Sequence, residues 1–197
     1  DVLIFMPGIY EIQRTLTACW SVARGEPVDF FPLHGSLSAQ EQDAAVAPSD
    51  RRKVIVATNI AETSLTIEGV GIVVDLGLAR EPVFDPGTGM TRLQTRPISQ
   101  ASSEQRRGRA GRLGPGECYR LWPESRQRQL PAQPTPEIHQ ADLVPLVLQL
   151  LAWGVDQPDN LAWLDPPPGA PFQQALDLLD RLGACKVSPG GVWQLTD

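Results

Sequence analysis

Along the first part of the chain, short apolar runs alternate with segments whose apolar residues recur at helical spacing. The runs are residues 2–6, 28–31, 54–57 and 71–75. Runs of this length and character are typical of strands buried on both faces. The helical segments comprise Ile9, Ile12, Leu16, Cys19, Trp20 and Ala23, then a helix capped by Ser38 that continues to about Val46. Such alternation predicts right-handed βαβ units around a mainly parallel sheet, which is the α/β class.

Turn residues divide the next part of the chain. Asp85-Pro-Gly-Thr-Gly89 separates residues 82–84 from residues 90–95, which predicts a β-hairpin that departs from the sheet. Ser99 or Ser102 is expected to cap the following helix, and residues 117–122 to form a last strand. Residues 123–136 are polar and rich in proline, which marks a boundary.

The end of the chain has a pattern of its own. Two helix-like segments, residues 140–153 and 171–182, precede residues 187–195, which carry a Pro-Gly-Gly turn. Helix, helix and hairpin in this order predict a winged-helix module, and the alternative is an irregular helical tail. We therefore expect an α/β domain over residues 1–125, a linker over 126–136 and a second domain over 137–197. We also expect the chain to be a piece of a longer protein, with further domains after it.

Charge and cysteine content narrow the possible partners and compartment. The net charge of −6 argues against a general nucleic-acid coat, so any strand would be held by local arginines and by backbone or hydroxyl contacts. Three cysteines without metal-ligand spacing predict reduced thiols and no metal site. No apolar run approaches the ~18 residues that cross a bilayer, and no signal peptide opens the chain. A cytoplasmic protein with no membrane contact is expected.

The segment Gln105-Arg-Arg-Gly-Arg-Ala-Gly-Arg112 holds the most informative candidate chemistry. At helical spacing Gln105, Arg109 and Arg112 would project from one face, and Gly108 and Gly111 would keep the flanking surface thin. Two guanidiniums and an amide directed at one point suit the charge of a transferring phosphoryl group. The alternative is a solvated basic helix face that only attracts polyanions.

A second candidate segment lies upstream, where the apolar run 54–57 leads into Thr58 and Asn59. Polar residues at the end of a buried strand, followed by Ile60, Ala61 and Glu62, predict a helix start. The free N–H groups and hydroxyls of such a start can hold a phosphate. An ordinary helix cap is the alternative.

Together these two segments resemble motif V (residues 58–68) and motif VI (residues 105–112) of the DEAH-box helicases of superfamily 2. Further blocks are similar to that family. They are residues 3–12 (motif IV), 32–37 with Gln40 and Gln42, 83–95 (the family's β-hairpin), 97–102, 135–138, 146–151 and 163–168, the last similar to bacterial members. The resemblance covers nearly the whole chain. It implies a second RecA-like domain with a protruding hairpin, followed by a winged helix.

The resemblance also implies roles for individual residues. Gln105 would position the attacking water, and Arg109 and Arg112 would act as arginine fingers on the nucleotide phosphates. Thr66 and Glu68 match motif V positions that contact or couple to the nucleotide, although many family members carry Asp in place of Glu68. The nucleic-acid backbone would be gripped by Gly8, Thr58, Asn59 and Ser64.

Part of the chemistry that this family uses is absent from the 197 residues. They contain no Gly-x-x-x-x-Gly-Lys-Ser/Thr loop and no Asp-Glu-x-His, which cradle ATP phosphates and Mg²⁺. The resemblance places ATP, or another NTP, and Mg²⁺ mainly on a preceding RecA-like domain of the same chain. Single-stranded RNA, with DNA possible, is the implied partner.

Two other functions stay open at this point. One is a non-catalytic module that binds nucleic acid or docks on a protein, and whose motif VI only binds phosphate. The other is a DEAD-box or viral helicase of the same superfamily. The intact Gln105, Arg109 and Arg112 set disfavours the first. The sequence of motif V and the C-terminal winged-helix pattern favour an ATP-dependent DEAH-box RNA helicase.

Overall fold

The computed structural model describes residues 1–63, 67–112 and 114–196, and over these the chain forms two units. The first unit comprises residues 1–81 and 95–134. Seven strands lie between residues 1 and 134. They are β1 (Val2–Phe5), β2 (Val28–Leu33), β3 (Arg52–Ala57), β4 (Ile72–Asp75), β5 (Leu78–Asp85), β6 (Met90–Pro97) and β7 (Glu117–Arg120). Five strands form a parallel sheet in the order β2-β3-β1-β4-β7. The predicted α/β class with a mainly parallel sheet is confirmed.

The last residues of the five parallel strands lie in one row across the sheet. Pairing joins Leu33 to Ala57, Ala57 to Phe5, Phe5 to Asp75, and Asp75 to Arg120. Because all five strands run the same way, every connection that leaves this row begins at the same edge. This carboxyl edge is where open α/β sheets place their ligands.

Helices connect the strands of the first unit. They are α1 (Ile9–Val22), α2 (Ala39–Val46), α3 (Ile60–Thr63), α4 (Gln100–Arg107) and α5 (Glu124–Gln129). Ser38 caps α2 as predicted, in a reciprocal capping box with Glu41. The predicted apolar face of α1 is only partly buried, since Ile12 packs inside with Leu16 and Cys19 whereas Trp20 is exposed.

A buried lysine caps the carboxyl-terminal end of α2. The side chain of Lys53, on β3, is 2% exposed, and its Nζ donates to the carbonyl oxygens of Ala45 at 3.1 Å and Ala47 at 2.6 Å. A cation there satisfies carbonyls that the helix leaves without partners and complements the helix dipole. Burial lowers the pKa of this ammonium from its usual value.

The stretch predicted as a linker, residues 126–136, is partly structured. It contains the end of α5, and the buried Leu130 packs with Ala79 and Ile98. The carbonyls of Pro131 and Ala132 accept hydrogen bonds from the N–H groups of residues 100 and 101. This stretch therefore satisfies the first turn of α4, a tertiary role that its polar, Pro-rich composition does not reveal.

The second unit comprises residues 82–94 and 135–197. It contains α6 (Val144–Ala152), α7 (Gly169–Arg181) and the antiparallel pair β8 (Cys185–Val187) and β9 (Trp193–Leu195), with short 3₁₀ helices at Glu137–His139 and Pro158–Asn160. Its core joins Val147 and Leu150 of α6 to Phe172 and Leu176 of α7. The β5–β6 hairpin tip belongs to this unit, where the Phe84 N–H donates to the Gln140 carbonyl.

Over the described ranges, no helix combines the length and apolar character needed to cross a membrane. The same residues contain no group of three or more His, Cys, Asp or Glu side chains that could hold a metal ion.

One prediction follows from the turn after β4. Gly77 has φ +74°, and a Cβ there would lie 2.7 Å from a ring carbon of Trp122. Gly25 also has positive φ, +87°, but a Cβ there meets nothing within 4 Å. We expect Gly25→Ala to cost about 1 kcal/mol for its left-handed backbone. Gly77→Ala should cost roughly 1–3 kcal/mol more, because overlap with the ring is added. Urea unfolding followed by circular dichroism measures both, and equal losses would contradict the packing argument.

Candidate functional site

The carboxyl end of β3 leads directly into α3, as the sequence predicted. The Thr58 N–H donates to the Leu33 carbonyl of the neighbouring strand at 3.0 Å, which fixes the start of the connection. The carbonyls of Thr58 and Asn59 accept from the N–H groups of Ala61 and Glu62. Thr58 is half-buried and Asn59 is exposed, so the first turn of α3 lies at the carboxyl edge of the sheet with Asn59 accessible.

The second segment begins at α4, whose first turn is held by side-chain and main-chain partners. Ser99 is the N-cap, and its hydroxyl accepts from the Ser102 N–H at 3.0 Å. This settles the predicted choice between Ser99 and Ser102.

The predicted helical face of Gln105, Arg109 and Arg112 is wrong, because α4 ends at Arg107. Gly108 is the C-cap, and after it the chain continues in turns. The N–H groups of Arg109 and Ala110 donate three residues back, to the Arg106 and Arg107 carbonyls. Two glycines within four residues weaken the helix, and tighter hydrogen bonding replaces the α-helical pattern at its end. Gln105 therefore lies on the helix, whereas Arg109 and Arg112 lie on the turn after it.

The arginine that follows Gln105 faces inward. Arg106 is 1% exposed, and its Nε donates to Glu62 Oε2 at 3.0 Å while Nη1 donates to Asp75 Oδ1 at 2.8 Å. Nη1 also lies 3.3 Å from the Leu78 carbonyl, and the guanidinium carbon lies 4.7 Å from the Phe5 ring centre. The charge is thus neutralised by carboxylates and packed on an aromatic face. The sequence analysis placed Glu62 only in a helix start and proposed no site role for Arg106, Glu62 or Asp75.

Arg109 joins the two candidate segments. Its Nε donates to the main-chain carbonyl of Glu62 at 2.9 Å, and its Nη2 donates to the same oxygen. Burial, followed by the charge of Arg112, lowers the pKa of this guanidinium, and Glu62 acts in the opposite direction. Arg109 is therefore a partly buried cation on which the charges of Arg112 and Glu62 act in opposite directions.

The other predicted site residues are distributed as follows. Gln105, Arg112 and Glu68 are exposed. Gly8 is buried at the N-cap of α1, where a Cβ would lie 2.8 Å from Arg80 Nη1 and 2.9 Å from Glu11 Oε2. The structure thus places the Arg80 and Glu11 side chains over Gly8. Ser64 and Thr66 lie outside the described residues.

A carboxylate organises the exposed face of α4. Glu104 bonds Arg107 on the same helix and Arg120 at the end of β7, each at 2.6 Å. The hydrogen bond from Arg120, together with that from Arg107, holds the pKa of Glu104 below its usual value. The arginines of this segment therefore have separate surroundings. Arg107 is paired at the surface, Arg106 is buried in the core, and Arg109 is hydrogen-bonded to the main chain of α3.

Comparison with known proteins identifies this arrangement. Residues 1–114 match the model of the helicase conserved C-terminal domain, so the chain belongs to that family. It is 48% identical over 186 residues to the ATP-dependent RNA helicase HrpB of Escherichia coli K12, covering 93% of this chain and 23% of HrpB. It is 44% identical over 191 residues to the probable ATP-dependent RNA helicase DHX34 of Mus musculus, covering 95% of this chain and 17% of DHX34.

The fold comparison agrees with the sequence comparison. A crystal structure of the E. coli DEAH/RHA helicase HrpB superimposes with a TM-score of 0.88 at 45% identity, covering all of this chain and 24% of HrpB. The resemblance to DEAH-box RNA helicases and the RecA-like α/β fold are thereby confirmed. The chain spans less than a quarter of the length of these relatives.

The approach of β7 to the Arg109 turn generates a prediction. A Cβ on Gly116 would overlap the Ala110 carbonyl group, whereas a Cβ on Gly114 meets nothing within 4 Å. We expect Gly116→Ala to lower the free energy of unfolding by roughly 1–3 kcal/mol, as overpacking does, and to speed amide hydrogen exchange in residues 108–112. The matched Gly114→Ala should change neither quantity. Identical exchange in the two variants would show that the turn does not depend on this close approach.

Proposed function

We propose that the first unit is the second RecA-like lobe of an ATP-dependent RNA helicase that couples NTP hydrolysis to movement along single-stranded RNA. One observation carries the proposal. The Arg109 guanidinium binds the main chain of α3, directly after the Thr58–Asn59 start. Cationic and polar candidate groups therefore meet at the carboxyl edge of a parallel sheet in a chain of the helicase C-terminal domain family.

The residues present fit the phosphates of a nucleotide but supply only part of a nucleotide site. Arg109 and Arg112 of motif VI would bind phosphate oxygens, and Gln105 would orient the attacking water. Thr66 and Glu68 of motif V would contact the nucleotide or couple to it. Bound ATP supplies the phosphoryl group, and Mg²⁺ neutralises its oxygens. The P-loop and metal-binding motifs are absent from these 197 residues, so a preceding RecA-like domain would hold the nucleotide and the metal.

The nucleic acid would be held by hydroxyls, amides and N–H groups. Thr58, Asn59 and Ser64 would contact the phosphate backbone, with Gly8 in the neighbouring connection after β1. Such contacts carry no base information directly, so binding should be largely independent of sequence. HrpB and DHX34 are named RNA helicases, which supports RNA as the strand, with DNA possible. We further propose that residues 137–197 form a winged-helix domain, which the helix, helix and hairpin order supports.

A non-catalytic module that binds nucleic acid or docks on a protein is the remaining alternative. In such a module motif VI would bind phosphate without taking part in hydrolysis. The intact set of Gln105, Arg109 and Arg112, with Arg109 held against the main chain of α3, favours the catalytic proposal, since a module that had lost catalysis need not keep all three.

The first test concerns Arg109 and Arg112 in an enzyme in which residues 1–197 are joined to the nucleotide-binding domain. Arg109→Ala and Arg112→Ala should each lower kcat for ATP by about 10³-fold, because arginine fingers stabilise charge in the transition state. RNA affinity should change little. Residues 1–197 alone should show no ATPase activity. Steady-state turnover and strand-binding titrations measure these quantities.

Arg107→Ala is the matched control, because Arg107 lies in the same motif but pairs with Glu104 at the surface. Its turnover should equal that of the unaltered enzyme. If Arg109→Ala and Arg112→Ala also keep full turnover, or if the purified 197-residue chain hydrolyses ATP, the proposed role of motif VI is wrong.

The second test concerns the strand contacts of Thr58 and Asn59. The double variant Thr58→Val, Asn59→Ala should weaken single-strand RNA binding and uncouple RNA stimulation of the ATPase, with basal turnover closer to normal. Because few phosphates are neutralised by cations, log K against log salt should have a shallow slope for the length of strand covered. Thr17→Val is the control, since the Thr17 hydroxyl donates to the Gln13 carbonyl within its own helix. Unchanged RNA affinity and stimulation in the double variant would favour a simple helix cap at Thr58.

A further inference from the structure

The buried guanidinium of Arg106 joins four elements of the first unit. Phe5 ends β1, Glu62 lies in α3, Asp75 ends β4 and Leu78 begins β5, and all four contact Arg106. A group that is 1% exposed does not reach a ligand at the surface. Its influence on any reaction must pass through the residues it holds.

Charge balance makes this position sensitive to substitution. One cation lies between two carboxylates, and Asp75 is fully buried. Its Oδ1 accepts from Arg106 and from the Gly77 N–H, while Oδ2 has no hydrogen-bond partner among the described residues. Without the arginine, Asp75 would be an uncompensated charge in the core, which is strongly unfavourable.

Glu62 is held twice by the same segment. Its carboxylate accepts from Arg106, and its main-chain carbonyl accepts from Arg109, three residues further along. The side-chain contact therefore fixes the main-chain oxygen on which Arg109 rests. The rigid, planar guanidinium of Arg106 suits this task, because it donates in two fixed directions toward Glu62 and Asp75.

We propose that Arg106 is a positioning residue that acts through Glu62 to set where the Arg109 guanidinium lies. The proposal rests on the proposed function, in which Arg109 is an arginine finger. The same contact ties motif VI to α3, whose first turn begins at Thr58 and Asn59. A displacement of Arg109 toward a phosphate would thus act on the helix that follows the strand-binding residues.

The test uses Arg106→Lys and Glu62→Gln in the enzyme that carries the nucleotide-binding domain. Lysine keeps the charge but cannot donate in two fixed directions, and glutamine keeps the size of Glu62 but not its charge. We expect each variant to lower kcat by about 10- to 100-fold, since a 1 Å misplacement of a catalytic group costs up to about 10²-fold. KM for ATP should stay within about threefold, because ground-state binding is retained. Without nucleotide, amide exchange in residues 60–63 should become faster.

Glu104→Gln is the matched control, since Glu104 also bonds two arginines, but on the exposed face of α4. It should change neither kcat nor exchange in residues 60–63. Thermal unfolding of each variant sets an assay temperature well below its midpoint. If Arg106→Lys does not fold, kcat and amide exchange of Glu62→Gln alone test the proposal.

Arg109→Ala in the same enzyme separates the possible failures. If it abolishes turnover while Arg106→Lys and Glu62→Gln keep full kcat and only lower the unfolding midpoint, Arg106 is structural and the positioning role is overturned. If Arg109→Ala itself keeps full turnover, the proposed function fails, and the positioning role fails with it. Faster exchange with a loss of kcat at near-constant KM supports the proposal.

Discussion

The first unit depends on one buried cluster of charged side chains. The guanidinium of Arg106 neutralises Asp75 and Glu62 and lies against the ring of Phe5. Replacing both sides of such a cluster by apolar groups can be tolerated, but removing one side costs roughly 3–5 kcal/mol because a charge stays buried without a partner. The sheet, α3 and the Arg109 turn consequently share one requirement, and none of the three can change its position independently of that cation.

Strand direction explains why this charge lies where chemistry is possible. In a parallel sheet the carboxyl ends of all strands share one edge, and here Phe5, Ala57 and Asp75 are partners in a single row. The connection after β3 forms the first turn of α3, and the turn after α4 contacts α3 through Arg109. Parallel pairing therefore brings polar segments that lie far apart in sequence to the same edge of the sheet.

The sequence predicted the elements well where local signals were strong and the site less well where distant partners decide. The β-branched runs of β3 and β4 and the cap at Ser38 have local causes, so the pattern sufficed. The helix end at Arg107 was missed, because arginine favours helix and the effect of Gly108 depends on what packs beside it. Which arginine of motif VI faces inward is set by Glu62 and Asp75, 44 and 31 residues away. The burial of Leu130 and the hydrogen bonds to the carbonyls of Pro131 and Ala132 were hidden by the proline-rich, polar composition around them.

The capping lysine of α2 has a practical consequence for chemical labelling. The 197 residues contain two lysines, Lys53 and Lys186. Amine-directed reagents need an accessible, unprotonated nitrogen. Lys53 holds its nitrogen inside the fold against two carbonyls, whereas Lys186 is exposed on β8. An activated ester applied to the folded chain should therefore attach through a lysine at one defined position, in the second unit. A fluorophore or surface linker placed there leaves Arg106 and Arg109 untouched.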